Sequence, residues 1–172
     1  GGSVAWRLAQ QRPELLRSLT LAEPGLCVDD GDGCGRADLN RGGFRQRALE
    51  RVRSGDADGA LELFVDAVSG AGTWARMVPW IRRMMRDNAG TLFGQVPESY
   101  ETVPAEALRK LPVPLLLVGG ALSPQPYPRV LDALAALAAR AKRITIPAAS
   151  HAMNLWNAPA FNQALLDFLD AA

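Results

Sequence analysis

Apolar and polar positions change their period several times along this chain, and the changes outline its elements. "VAWRLAQQ" has helical spacing, with Val4, Leu8 and the Trp6 side to bury, and Pro13 disfavours helix at the residue before it. "SLTLAEP" is a short leucine and β-branched run that predicts a buried strand at residues 18 to 22, stopped by Pro24. Residues 25 to 42 form a polar, Gly/Asp-rich loop. Three helical patterns follow. "FRQRALERVRSG" is the first, and "DADGALELFVDAVSG" the second, with Asp56 as N-cap and Gly70 as stop. "TWARMVPWIRRMMRDNAG" is the third, with Thr73 as cap and Pro79 as a kink. "TLFGQVPESYETVP" reads as a loose connection.

Beyond it the pattern alternates between strand and helix. "VPLLLVGG" predicts a buried strand at residues 113 to 119, and "PRVLDALAALAARA" a helix. "KRITIP" predicts a strand at 143 to 146, and "APAFNQALLDFLDAA" a helix. This order predicts an α/β fold, a parallel sheet flanked by helices. The expected division is a sheet-bearing portion of residues 1–24 and 111–172, with a helical insertion at 25–110.

Composition narrows the function classes. With 172 residues the chain can hold one ordinary core, and 48% hydrophobic with 22% charged residues is the balance of a soluble globular protein. A net charge of +1 makes no case for nucleic acid or an anionic membrane. No apolar run approaches the roughly 18 residues of a membrane span. No leader peptide is visible, so a cytoplasmic location is expected. Cys27 and Cys34 could pair, but two cysteines make no secreted framework, and one histidine with two cysteines argues against zinc. Between those cysteines lie Asp29, Asp30 and Asp32, and oxygen ligands at alternate positions can suit calcium. No glutamate falls at the twelfth position of a loop starting at Asp30, so a plain acidic loop is the preferred reading.

His151 is the only histidine, and it lies between the last strand and the last helix. The loop at the C-terminal end of a strand is where α/β sheets place ligand sites. A neutral imidazole there can take a proton from a hydroxyl and return it to a leaving group.

Four stretches together carry a family resemblance: "GGSVAWRLAQQRPELLRSLTLAEP", "FVDAVSGAGTWARM", "PVPLLLVGGALSP" and "IPAASHAMNLWNAPAFNQALLDFL". In order and spacing they resemble the C-terminal two thirds of an α/β-hydrolase fold protein. On this resemblance they are the helix and strand after the nucleophile elbow, a helical cap of a bacterial branch, the next core strand, and the histidine loop with the final helix. The resemblance implies a partial α/β-hydrolase fold with an inserted cap, a serine, histidine and acid, and no cofactor. His151 stands at the histidine position.

Gly1-Gly2 aligns with the small pair that follows the family's serine, which places that serine two residues before Gly1. The alternative, Ser3 in "GGSVA", has no strand before it and a helix about a turn too short after it, so a first-turn helix residue is the preferred reading. Many members carry an aspartate where Ser123 stands, and others take the acid from the end of the preceding strand, where Glu23 stands. Glu23 is therefore the expected acid, against the alternative of a solvent-facing strand end, with Asp132 inside a helix as the weaker candidate. Trp74, Met77 and Trp80 of the cap, and Met153 beside the histidine, are expected to line the substrate site, or else to pack the core. Met84 and Met85 continue the same helical spacing, and Arg82, Arg83 and Arg86 read as a solvated face.

The implied activity is hydrolysis of a small apolar ester-like substrate, with the nucleophile outside this chain and the chain alone inactive. The second reading is a non-catalytic, self-associating fragment that binds apolar ligands. Three recognisable core strands leave the edge of strand 18 to 22 open, so a homo-oligomer, or association with a missing N-terminal half, is expected.

Overall fold

The computed structural model describes residues 1–29, 43–95 and 101–172. The chain divides into two units, one of Gly1–Arg36 with Tyr100–Ala172 and one of Ala37–Ser99. In chain order the elements begin with helix α1 (Gly2–Gln11) and strands β1 (Leu19–Ala22) and β2 (Leu26–Asp29). Helices α2 (Phe44–Arg53), α3 (Ala57–Ser69), α4 (Thr73–Arg76), α5 (Pro79–Asp87) and α6 (Leu92–Gln95) follow. Then come β3 (Glu101–Pro104), α7 (Ala105–Arg109), β4 (Leu115–Gly120), α8 (Tyr127–Leu137), β5 (Ala141–Ile146), α9 (Met153–Trp156) and α10 (Ala158–Leu169).

The main sheet of the first unit has the order β1-β4-β5, all parallel. All six residues of β4 are buried, which explains its unbroken apolar run, since a central parallel strand has no solvent face. β5 starts two residues earlier than the apolar pattern predicts. Lys142 and Arg143 pair with Leu116 and Leu117, and on this outer strand their side chains reach solvent. Leu116, Val118, Ile146, Ala149 and Met153 form one core cluster with Ala164 and Phe168 of α10. Trp6 and Ala9 are the buried residues of α1, whereas Val4 and Leu8, expected inside, are 72% and 40% exposed.

A second parallel pair, β2 with β3, lies in stretches read from sequence as loop and loose connection. Four residues are too few to show a period, and the two strands that pair are far apart in sequence. Leu26, Cys27, Val28 and Val103 are buried, with α8 also packed against β2. Of the acidic loop, residues 30–42, including Asp30, Asp32 and Cys34, lie outside the described residues.

The helical unit is organised by its caps. Asp56 accepts a hydrogen bond from Gly59 N–H at 2.9 Å and starts α3, and Gly70, at φ 101°, ends it. Pro79 does not kink one helix but opens another. Met77 and Val78 are extended, as residues before proline prefer, and Pro79 takes the first position of α5. Gly72, at φ 74°, rather than Thr73, is the N-cap of α4. The carboxylate of Asp66 completes that turn by accepting from Gly72 N–H at 2.6 Å and Trp74 N–H at 2.9 Å. Leu61, Val65, Trp74 and Ala89 pack together beneath it. Among the described residues no helix is long and apolar enough to cross a membrane.

Candidate active site

Glu23, Gly120 and His151 come together at the C-terminal ends of the sheet strands. β1 ends at Ala22, and the next residue, Glu23, has a φ of 42°, a left-handed conformation that non-glycine residues adopt at a cost of roughly 1 kcal/mol. Its N–H still donates to Val118 O at 3.1 Å, so the ladder with β4 continues through the bend. The bend brings the carboxylate to the end of β4, where Oε1 accepts from Gly120 N–H at 2.8 Å. Oε2 lies 2.9 Å from Nδ1 of His151. Glu23 is only 3% exposed, so both oxygens exchange water for these two partners. The alternative expectation, a carboxylate facing solvent, does not describe this side chain.

His151 stands in the loop between β5 and α9. Ala121 N–H donates to Ile146 O and Leu122 N–H to Ala149 O, both at 2.9 Å, tying this loop to the segment after β4. Asn157 caps α10 and also donates to Pro147 O at 2.9 Å, which closes the loop from its far side. The close approach explains the Gly119-Gly120 pair. A Cβ at Gly120 would overlap Ala149 O and would come within 2.8 Å of Ser150 Cα.

An ionised carboxylate only accepts hydrogen bonds, so Glu23 favours the tautomer with the proton on Nδ1. Nε2 then carries the lone pair, and among the described residues it has no hydrogen-bond partner. The side chain is 35% exposed, so the ring is held at one edge and open to solvent in part. The ring of Tyr127, the first residue of α8, stacks on it with centroids 4.7 Å apart and planes 22° apart. Nothing in the periodicity of the chain singled out Tyr127. The signal available was its place at the start of the helix that follows the strand-end glycines.

Among the described residues, none of the remaining candidates hydrogen-bonds to Glu23 or His151. Ser123 has its Oγ shielded from water without a hydrogen-bond partner among the described residues, and its N–H donates to Gly120 O at 3.1 Å. Asp132 forms an ion pair with Arg143 at 2.9 Å on the surface of α8 and β5. Ser3 is the second residue of α1. Met153 is wholly buried in the core cluster under α10, two residues from the histidine. In the helical unit Trp74 is buried with Met77 packed against it, whereas Trp80 is 65% exposed. Among the described residues no three His, Cys, Asp or Glu side chains gather as metal ligands.

No family model and no curated sequence matches the chain. Solved structures do match along its whole length. A thermophilic esterase superposes with a TM-score of 0.69 at 20% identity, over 99% of this chain and 63% of that one. MGS-M2, an α/β hydrolase enzyme from a Medee basin deep-sea metagenome library, gives 0.68 at 14% identity, over 99% and 62%. MenH from S. aureus gives 0.66 at 20% identity, over 99% and 65%. The chain thus spans somewhat less than two thirds of the length of each of these structures. With a parallel β1-β4-β5 sheet flanked by helices and this set of structural matches, the chain has a partial α/β-hydrolase fold.

Proposed function

We propose that Glu23 and His151 are the acid and the general base of a serine hydrolase reaction on a small ester-type bond. The observation that carries this reading is the buried Glu23–His151 pair at the C-terminal end of the parallel sheet, at 2.9 Å. Nε2 takes the proton from a hydroxyl as that oxygen attacks the ester carbonyl. The imidazolium so formed is stabilised by the Glu23 carboxylate at Nδ1. It then returns the proton to the departing alkoxide, and a water repeats the sequence to release the acid. Glu23 orients the ring through a carboxylate that Gly120 N–H holds in place. The helical unit is read as the cap insertion of such an enzyme.

On this reading Ser3, within α1, is not the nucleophile, and the serine is not among the residues of this chain. The test compares this chain with the product of the complete reading frame that contains it. The chain alone should hydrolyse 4-nitrophenyl acetate at the background rate and take no covalent serine probe. In the complete product, His151→Ala and Glu23→Gln should each lower kcat/KM by about 10²–10⁴, the range seen when a base or its orienting acid is lost. Hydrolysis by this chain that Ser3→Ala and His151→Ala both abolish would place the nucleophile at Ser3 instead. Full activity in Glu23→Gln would remove the acid from the scheme.

A second reading, self-association through the β1 side, rests on a separate observation. Val4 and Leu8 are exposed on α1, which packs against β1, and among the described residues no strand pairs with the outer edge of β1. Such an edge is a template for pairing, and a second copy of this chain is the occupant proposed.

A further inference from the structure

We propose that Tyr127 is a positioning residue for His151, its ring forming the wall that sets the plane in which Nε2 is presented. The inference rests on the general-base reading of His151 but concerns the orientation of the ring, which can be observed without catalysis.

Glu23 touches the imidazole at one atom, Nδ1. A single hydrogen bond tolerates tens of degrees of misalignment before it weakens steeply, so on its own it leaves the ring free to tilt. A proton acceptor must aim its lone pair at the incoming hydroxyl, and a tilt about Nδ1 displaces Nε2 directly. Tyr127 restrains this motion. Its ring centroid is 4.7 Å from that of His151 with the planes 22° apart, which is the spacing of a stacked aromatic pair.

The wall is itself fixed. Val130, Leu131 and Leu134 of α8 are buried, and α8 packs against β4 and β5, the same strands whose ends carry Gly120 and the histidine loop. Val130 N–H donates to Pro126 O at 3.0 Å, so the first turn that holds Tyr127 is closed. Edge and face restraints therefore come from different elements, β1 and α8, both anchored on β4. An aromatic face also favours a cation over it, so the contact strengthens when the imidazole takes up its proton.

Because His151 is the only histidine, its ring resonances can be assigned without ambiguity in this chain. In the wild-type chain, NMR should show cross-peaks between the His151 and Tyr127 ring protons. The Nδ1–H proton should be visible and slow to exchange. Tyr127→Phe should preserve both features. Tyr127→Leu should lose the ring-current displacement of the His151 signals, and its Nδ1–H should exchange about tenfold faster, while backbone amides of β4 exchange as before. Unchanged Nδ1–H exchange in Tyr127→Leu overturns the proposal. If that variant does not fold, the wild-type spectrum decides, since absent cross-peaks between the two rings overturn it as well. Neither result bears on whether His151 acts as a base, which the hydrolysis assay reads.

Discussion

At position 120 the chain needs a residue with no side chain, because the backbone of the histidine loop closes on the end of β4 there. Gly120 ends β4, donates its N–H to Glu23, and lies under the histidine loop. In Gly120→Ala the new Cβ would press on Ala149 O and Ser150 Cα, and backbone yields only by moving the loop. We expect a loss of about 1–3 kcal/mol, the usual cost of overpacking, together with loss of the Glu23–His151 hydrogen bond. Gly119→Ala is the contrast. Its Cβ would meet Leu131 Cδ1 at 2.6 Å, the end of a side chain that can change rotamer, so the cost should be smaller and the site intact. Urea unfolding of the two variants checks this, and equal losses would refute the distinction. The glycine pair was visible in the sequence, but its reason was not, because Ala149 and Ser150 reach it only through the fold.

Among the elements, the helices were the more legible because their signals are local. Asp56 and Gly70 bound α3 as their residue types predict, since a cap acts on the next few residues and nothing else. Pro79 was misread as a kink because both outcomes obey the same steric rule, and the extended Met77 and Val78 chose between them. Asp66 holds the turn from α3 to α4 through two hydrogen bonds to Gly72 and Trp74. Asp66→Ala removes both acceptors and should destabilise the helical unit by about 2–4 kcal/mol, taking 1–2 kcal/mol for each partly buried N–H left unpaired. Asp56→Ala, which loses one exposed cap, should cost about 1 kcal/mol. Thermal unfolding followed by circular dichroism orders the two, and the reverse order would show that the Asp66 bonds are weak. The β2–β3 pair escaped the sequence because each strand is four residues long and its partner is remote.

For the whole molecule the open feature is the β1 side of the sheet. Leu19 and Leu21 are buried and α1 packs against β1, but the outer edge of β1 has no strand partner among the described residues, and Val4 and Leu8 of α1 are exposed. We expect the chain to associate as its concentration rises, and Val4→Glu with Leu8→Lys to weaken that association by about tenfold or more, since two charges would be desolvated. Sedimentation velocity over a range of concentrations is the measurement. A compact monomer throughout would exclude the second copy as the occupant of this edge.

The sequence by itself determined the fold class, the parallel sheet and the placing of His151 on a loop after the last core strand, because period, proline and glycine act over a few residues. It also marked Glu23 as the end of a strand. Tertiary structure decided that these two groups meet. They are separated by 128 positions in the chain, and their contact requires β1 and β4 in register, a left-handed bend at Glu23 and a loop closed on Gly120. It also supplied Tyr127 and the small β2–β3 sheet, which no local pattern announced. Local signals are additive along the chain, whereas a site depends on distances between elements, and those exist only once the sheet is assembled.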